Sequence, residues 1–208
     1  MYHKRLIWKL VPIMGIAAFF IIYLLAASLY PGGSAANPSH EGFDWVHNYW
    51  CDLMNPTGAN GEINPARSLA ISGMTMLCIS LGWFFYLFAS TVGHTTLWRR
   101  TIKSSGTASM AVAAVVFTDL HNQAIIISSL FGLITLIGIL VCVFNSKLTA
   151  FKVTGALVIL ILISNNVMYY SGLLIEYLPL VQKLSFAIVL LWIAAMNIAL
   201  IRYPSRNV

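Results

Sequence analysis

Long apolar runs separated by short polar segments predict an all-α, polytopic integral membrane protein with one membrane domain over residues 1–208. An α-helix needs about 20 apolar residues to cross a bilayer, and six runs meet or approach that length. The third run is the shortest, and it reaches full length only if all residues from Thr101 through His121 are included. The first run is longer than the apolar core of a secretory signal, so we interpret it as a retained span. The predicted spans are residues 6–30, 68–90, 102–121, 123–145, 149–170 and 181–201.

The first loop between spans, residues 31–67, is the one long polar segment of the chain. Within Phe43–Asn55, polar residues recur at helical spacing, and the remaining residues are aromatic or apolar. A helix that faces water would have the opposite proportions. We therefore predict a short helix at a membrane interface, with its polar side chains facing a shared cavity. Those side chains are Asp44, His47, Asn48, Cys51, Asp52 and Asn55.

Small and polar residues inside the spans predict contacts between helices. Small residues at four-residue spacing in the third and fourth spans would let these helices pack closely. They are Ser105, Ser109, Ala113, Ser128 and Gly132. Asn165, Asn166 and Asn197 could line a transport path, but hydrogen bonding between helices is the commoner use of such residues.

The composition supports a membrane protein. Hydrophobic residues make up 59% of the chain and charged residues 9%, whereas a soluble domain has about 25% charged residues. The formal net charge is +6, yet the sequence has neither a dense basic run nor a Gly-rich phosphate loop. We therefore expect the lipid bilayer, and no nucleic acid, as a partner.

The distribution of charge predicts the orientation. With six spans both termini lie on one side, and ten of the twelve Lys and Arg residues fall on that side. The positive-inside bias makes this side the cytoplasm and places the protein in the cell membrane. All six acidic residues fall on the other side, as do His40, His47 and His121. Acid–base chemistry is therefore expected at the outer face.

A metal site is one interpretation of the outer residues. Asp44 and His47 have a spacing that brings ligands onto one helical face, and Asp119 and His121 flank a helix end on the same side. Two histidines with one or two carboxylates suit zinc, which activates water. His47, Asp119 and His121 are then the candidate catalytic residues. In the plainer interpretation, the two acids cap helices and the two histidines bond to loop carbonyls.

A site that binds a lipid, a small ligand or a membrane-protein partner is the other interpretation. Polar side chains would contact the headgroup, while aromatic residues line the acyl portion. The candidate ligand-binding residues are Asp44, Asn48, Asp52, Asn60, Arg67 and Asn122. Lys183 and Asn64 could also meet an anionic headgroup, although Arg67 could instead pair with Glu62 or Asp52.

Two further chemistries have less support. Cys51 or Ser39 could act as a nucleophile with a histidine as its base. Cysteine, however, is also a common small hydrophobe in protein cores. His47 and His121 could ligate haem, but paired axial histidines usually come from facing spans, and neither residue lies deep in one.

The stretch Gly42–Leu53, GFDWVHNYWCDL, with the turn-rich NPTGANGEINPA after it, resembles the domain-of-unknown-function family numbered 998. In that family an aromatic residue follows a glycine, and an amide residue, an aromatic residue, a serine and an acid–leucine pair come next. The matching residues are Gly42, Phe43, Asn48, Tyr49, Asp52 and Leu53. Cys51 replaces the serine, which weakens any metal site that uses it. The resemblance implies a small multipass membrane protein without a settled activity.

A looser similarity is to the CREST membrane hydrolases, which combine Ser, Asp and His at one membrane face to bind zinc. This chain has Asp and His there but lacks their C-terminal HxxxH, so the likeness concerns the type of site only. We rank non-catalytic binding at an outer polar pocket first. A metal-dependent hydrolase that acts on a lipid or a lipid-linked substrate ranks second, and zinc is the cofactor it implies.

Overall fold

The computed structural model describes residues 2–202, with side chains from residue 7 to residue 202, and most of this range is helical. Its α-helices are α1 (Tyr2–Ser28), α2 (Arg67–Thr91), α3 (Thr96–Ala113), α4 (His121–Phe144), α5 (Thr149–Ser171) and α6 (Leu178–Arg202). Two short 3₁₀ helices, Trp50–Met54 and Ile175–Tyr177, lie in the loops that follow α1 and α5. The described residues form no β-strand, and the first loop contains two isolated β-bridges.

The predicted all-α class is confirmed. Five helices are long and apolar enough to cross a membrane, namely α1, α2, α4, α5 and α6, and each overlaps one predicted span. The helix α3 is different, because its 18 residues include Arg99, Arg100 and Lys103. Its composition alone does not identify it as a membrane span.

The helix α3 also departs from the predicted span 102–121 at both ends. It begins earlier, at Thr96, because the Thr95 hydroxyl caps the helix by accepting a hydrogen bond from the Trp98 amide at 3.3 Å. Arg99, Arg100 and Lys103 therefore lie in the N-terminal half of this helix.

After Ala113 the chain turns instead of continuing as a helix. Several backbone amides between residues 115 and 121 bond to the carbonyl three residues earlier. The Thr118 hydroxyl and the His121 ring bond to the carbonyls of Val115 and Val116. Side chains thus take up acceptors that a continued helix would have paired, which is how such residues compete with helical structure.

The chain divides into two compact units. The first unit comprises residues up to 17, residues 75–155 and residues from 192 onward, so it contains all of α3 and α4. The second unit comprises residues 18–74 and 156–191, so it contains the first loop and both 3₁₀ helices. The remaining helices contribute a part to each unit.

In the first unit, α3 packs against α4 through small, hydroxyl-bearing residues. The hydroxyls of Ser105 and Thr135 are 2.7 Å apart, and the Ser109 hydroxyl donates to the Ser128 carbonyl at 2.8 Å. Ser105, Ser109 and Thr135 are all buried. The predicted close packing of these two helices is confirmed, and small side chains make it possible.

Pro12 lies inside α1, where it removes a backbone hydrogen bond. Proline has no N–H, so the carbonyl four residues earlier, that of Trp8, loses its helical donor. The Trp83 indole donates to this carbonyl at 2.7 Å. The next carbonyl, that of Lys9, accepts the side-chain amide of Asn197 at 2.8 Å. Asn197 therefore bonds between helices, which is the commoner of its two interpretations.

The Trp83 indole is expected to stabilise the protein because Pro12 frees the Trp8 carbonyl. Trp83→Phe should lower the free energy of unfolding by about 1 kcal/mol more in the wild type than in a Pro12→Ala background, where the restored N–H bonds the carbonyl itself. A double-mutant cycle in detergent, followed by circular dichroism, measures this coupling. Trp192→Phe is the control, because that indole donates to Thr154 and should not couple to Pro12→Ala. Equal losses from Trp83→Phe in both backgrounds would contradict the prediction.

In the second unit, aromatic rings and one amide hold helical segments together. Phe19 and Tyr23 of α1 are fully buried with 4.2 Å between ring centroids, and Phe19 meets Phe186 of α6 edge-on at 5.5 Å. The Asn165 amide of α5 donates to the Ser185 hydroxyl of α6 at 2.6 Å. These contacts form part of the core beside which the first loop folds.

Candidate functional site

The first loop is built from turns, and the predicted helix over residues 43–55 is wrong. Residues 45–47 form a turn, and only Trp50–Met54 is helical, as a 3₁₀ helix. Asp44 accepts the Val46 amide through its side chain, and Asn48 accepts the Asp44 amide in the same way. Such local bonds from Asp and Asn side chains compete with helical hydrogen bonding.

Asp44 is the centre of the site, with 7% of its surface exposed. Its Oδ1 accepts the backbone amides of Val46 and His47 at 3.0 and 3.1 Å. Its Oδ2 lies 2.8 Å from Nδ1 of the His47 ring and accepts the Ser34 hydroxyl at 3.1 Å. Four hydrogen bonds therefore hold this carboxylate in one orientation.

The same contacts set the pKa of Asp44. Burial by itself raises the pKa of this carboxyl, because it disfavours the charged form. The hydrogen bonds from the His47 ring, from the Val46 and His47 amides and from Ser34 outweigh burial and lower the pKa to about 2. Asp44 is therefore a carboxylate at neutral pH and can accept from all of these donors.

His47 is the part of this site that stays open. Its side chain is 29% exposed, compared with 9% for that of Asp44. Its ring lies beside that of Tyr177, with 6.4 Å between centroids. Nδ1 is engaged by Asp44, and Nε2 has no hydrogen-bond partner among the residues that the structure describes. Nε2 is therefore available to a ligand.

Asn48 connects the turn at Asp44 to the rest of the loop. Its side-chain oxygen accepts the Asp44 amide at 2.8 Å, and its NH₂ group donates to the Gly33 carbonyl at 3.0 Å and to Asp52 at 3.2 Å. Asp52 accepts the Tyr49 amide at 2.8 Å, where the 3₁₀ helix begins. A hydrogen-bond network thus joins four of the six polar residues that the sequence predicted on one helical face, namely Asp44, His47, Asn48 and Asp52.

Gly33 lets two parts of the loop approach each other. Its φ of +81° lies in the left-handed region, and a Cβ at this position would lie 2.7 Å from the backbone carbon of Ala59. Its amide donates to the His40 carbonyl at 2.8 Å, and its own carbonyl accepts from Asn48. Any other residue at position 33 would disturb the hydrogen bond between the Gly33 carbonyl and the Asn48 side chain.

Lys183 of α6 anchors the first loop to the helices of the second unit. Only 6% of its surface is exposed, and its ammonium donates to the Asn48 carbonyl. It lies 5.7 Å from the centroid of the Phe43 ring, and the carboxylates of Asp52 and Asp44 supply negative charge nearby. A cation in an apolar helix requires such partners, because isolating it from water is costly. Its ammonium is thus engaged within the protein.

An aromatic cluster lies on the same loop. Phe43 stacks on Trp50 with 5.9 Å between centroids and meets Trp45 edge-on at 5.1 Å. Tyr30 meets Phe43, and Tyr23 meets Trp50, at 5.7 and 5.3 Å. Trp45 is 48% exposed. The loop therefore presents an accessible indole within the same short segment as Asp44 and His47.

Neither predicted nucleophile is activated. Burial first, and the nearby Asp52 carboxylate second, raise the pKa of the Cys51 thiol to about 12, so almost none of it is thiolate at neutral pH. Ser39 is exposed, and its hydroxyl donates to Asn37 at 2.8 Å. In the part of the chain that the structure describes, neither residue bonds to a histidine.

Other residues that the sequence indicated are engaged in the architecture of the loop. The Asn60 amide donates to the Pro31 carbonyl at 3.3 Å, and Nε of Arg67 donates to the Met54 carbonyl at 3.2 Å. Asn64 is buried and donates to two backbone carbonyls of the loop. Their predicted contacts with a headgroup stay predictions.

Asp119, His121 and Asn122 belong to the first unit, at the turn between α3 and α4, and not to the unit that contains the first loop. Asp119 and Asn122 are exposed, and α4 begins without a side-chain cap, so Asp119 does not cap it. Nδ1 of His121 bonds to the Val116 carbonyl at 2.6 Å. This is the contact with a loop carbonyl that the plainer interpretation of His121 expected.

The described residues contain no group of three His, Cys, Asp or Glu side chains that could hold a metal ion. The contact between Asp44 and His47 is a common way to orient a metal-binding histidine. Zinc requires at least two further protein ligands. A zinc site that includes His47 would therefore need ligands beyond those that the described arrangement groups together.

Sequence reasoning missed Ser34 and Tyr177. Tyr177 lies in the loop between α5 and α6, which the predicted topology places on the same side as the first loop, so topology was a usable signal. Nothing in the pattern around Ser34 marks it, because its contact with Asp44 depends on how the loop folds back.

No protein-family model, curated protein or solved structure matches the chain. The resemblance of Gly42–Leu53 to the family numbered 998 therefore stays a prediction.

Proposed function

We propose that the chain is an integral membrane protein that crosses the bilayer six times and keeps both termini in the cytoplasm. Five helices have the length and composition that a span requires. The helix α3 has 18 residues, which at 1.5 Å per residue measure about 27 Å, close to the thickness of the hydrocarbon core. Its buried hydroxyls bond to α4, so they need not face lipid.

The positions of the charged residues support this orientation. Six crossings place the turn between α2 and α3 and the turn between α4 and α5 on the side of the termini. Arg99, Arg100 and Lys103 lie in the N-terminal half of α3, and Lys147 lies in the turn between α4 and α5. The first loop, with its acidic residues, then lies on the outer side, as the positive-inside bias favours.

We infer that the first loop binds the headgroup of a lipid without covalent chemistry. The observation that carries this proposal is the state of His47, which is fixed at Nδ1 by Asp44 and open at Nε2. A carboxylate at Nδ1 favours the tautomer with its N–H there, so Nε2 of the neutral ring is an acceptor. The ligand should therefore carry a hydroxyl or ammonium donor.

The surroundings of His47 suit such a headgroup. The negative charge of Asp44 lies directly behind the ring, and it favours a ligand group that is positively polarised. The exposed Trp45 indole lies on the same loop, and indoles favour the boundary between headgroups and acyl chains. A lipid at the outer leaflet would meet both groups.

The contacts within the loop favour binding over catalysis. Ser34 donates to Asp44 and not to His47, so these three side chains do not form the relay in which a histidine deprotonates a serine. The thiol of Cys51, with its pKa raised to about 12, is a poor nucleophile at neutral pH. The site has an acceptor, and no activated group that attacks a substrate.

A metal-dependent hydrolase that acts on a lipid or lipid-linked substrate is the second candidate. The contact between Asp44 and His47 favours it, because carboxylates orient metal-binding histidines in this way. Elemental analysis of the purified wild type and of His47→Ala separates the two proposals. Zinc in near-stoichiometric amount, lost in the variant, would support the hydrolase and overturn non-catalytic binding.

The binding proposal is tested with two zwitterionic lipids that differ in headgroup donors. Phosphatidylethanolamine has an ammonium with N–H donors, whereas phosphatidylcholine with the same acyl chains has none. Native mass spectrometry of the wild type with both lipids should show preferential retention of phosphatidylethanolamine. His47→Ala should reduce that preference about fivefold, the equivalent of one hydrogen bond.

His40→Ala is the matched control, because His40 belongs to the same loop and contacts the Gly42 carbonyl rather than Asp44. This variant should keep the preference of the wild type. Equal retention of both lipids by the wild type would overturn the proposal, as would an unchanged preference in a folded His47→Ala variant.

A further inference from the structure

Three aromatic side chains and one cation lie in contact, one after another, in the first unit, and we call this group the aromatic stack. The rings of Trp8 and Trp83 are tilted by 57° with 5.8 Å between centroids, and Trp83 stacks on Tyr86 at 5.3 Å with 12° between ring planes. The ammonium of Lys103 lies 4.0 Å above the Tyr86 ring. Trp8 and Tyr86 are 58% and 46% exposed. The stack therefore presents a broad aromatic surface that ends in a positive charge.

The position of the stack is fixed by the backbone defect at Pro12. The Trp83 indole donates to the Trp8 carbonyl, which Pro12 leaves without its helical donor. Trp83 is thereby held by a hydrogen bond, and the two exposed rings on either side of it have a rigid neighbour. The site is preorganised, because a ligand need not order the central ring.

The ammonium of Lys103 has N–H donors that are not engaged by the residues that the structure describes. It contacts the face of Tyr86, but no carboxylate or carbonyl accepts a hydrogen bond from it among the residues that the structure describes. Arg100 is exposed and lies one helical turn before Lys103, on the same side of α3. Two cations next to exposed aromatic rings are complementary to a phosphate whose attached chains are apolar.

We propose that Trp8, Trp83, Tyr86, Arg100 and Lys103 form a binding site for an anionic phospholipid of the cytoplasmic leaflet. The phosphate would accept hydrogen bonds from Lys103 and Arg100, and the rings would lie along the glycerol and upper acyl region. This site belongs to the first unit, whereas the first loop belongs to the second. It rests on the membrane orientation proposed above, since it requires the turn between α2 and α3 to face the cytoplasm.

The test compares two lipids that differ in net charge, phosphatidylglycerol and phosphatidylethanolamine with identical acyl chains. Native mass spectrometry should show preferential retention of phosphatidylglycerol by the wild type. Lys103→Gln should reduce this preference about fivefold, as expected for one cation near a membrane surface. Lys103→Arg, which keeps the charge, should retain it.

Lys147→Gln is the matched control, because Lys147 is an exposed cation of the same unit and, among the described residues, the cation over a ring of the aromatic stack is Lys103. Equal losses in Lys147→Gln and Lys103→Gln would show general attraction to the basic side and overturn the site. Failure of this proposal and of the outer site are distinguishable. A preference for phosphatidylethanolamine over phosphatidylcholine that falls in His47→Ala but not in Lys103→Gln reports the outer site. A preference for phosphatidylglycerol over phosphatidylethanolamine that falls in Lys103→Gln, and does not fall in His47→Ala, reports this second site.

Discussion

Lys183→Met is expected to lower the free energy of unfolding by about 3 kcal/mol and to loosen the first loop. Methionine resembles lysine in length and suits an apolar helix, so the substitution removes the ammonium with little change in packing. The Asn48 carbonyl would then be buried without its donor, and Asp44 and Asp52 would lose a nearby positive charge. A buried acceptor left unpaired accounts for much of the expected loss.

Two measurements check this expectation. Thermal unfolding in detergent, followed by circular dichroism, reports the stability. The rate of cleavage by a glutamate-specific protease reports how loosely the first loop is held, because Glu41 and Glu62 are exposed there. Gln182→Met is the control, since Gln182 is the exposed neighbour of Lys183 on α6. If Lys183→Met unfolds and is cleaved like the control, the anchoring role of Lys183 is wrong.

Protonation of Asp44 is expected to destabilise the protein, so stability should fall as the pH drops from about 4 to about 2. In the folded protein the pKa of Asp44 is lowered to about 2, whereas an unfolded chain has an ordinary aspartate. A lowered pKa in the folded state stabilises the protein above the ordinary value. That contribution is lost as the pH falls through the folded-state pKa.

Substitutions at Asp44 separate its charge from its hydrogen bonds. Asp44→Ala should lower the free energy of unfolding by about 3 kcal/mol, because the amides of Val46 and His47 and the Ser34 hydroxyl lose their acceptor. Asp44→Asn keeps an acceptor for the turn, so its free energy of unfolding should fall less than that of Asp44→Ala. This variant should also lack the fall in stability between about pH 4 and 2.

Chemical unfolding at a series of pH values measures both effects. Glu41→Gln, at an exposed carboxylate of the same loop, is the control and should retain the acid-dependent loss. If Asp44→Asn shows the same pH dependence as the wild type, a different carboxyl group is responsible. The role assigned to the charge of Asp44 would then be wrong.

The helices were largely predictable, because apolar runs of sufficient length are a local property of the sequence. The run at residues 68–90, for example, corresponds to α2 at Arg67–Thr91. The exception is α3, whose start depends on the Thr95 hydroxyl and whose end depends on turns near His121. Because polar residues lie at both ends of α3, the length of its apolar run did not predict where the helix begins and ends.

The site was predictable in its residues but not in its geometry. Asp44, His47 and Asn48 were indicated by their type and proximity, yet the helical face on which we placed them does not form. Their side chains bond to backbone amides inside the loop and thereby replace the helix. Spacing cannot distinguish these outcomes, because the same residues suit both a helical face and a turn.

By itself, the sequence determined which runs are helical. It also determined that acidic residues and histidines gather in the first loop, because the length, polarity and charge of a segment are local properties of the sequence. Only the tertiary structure decided which groups meet. It brings Lys183 to the Asn48 carbonyl, 135 residues away, and the Trp83 indole to the carbonyl that Pro12 frees. Such contacts depend on packing between distant segments. The open nitrogen of His47 depends on how the first loop itself folds, because Asp44, three residues earlier, engages the other ring nitrogen.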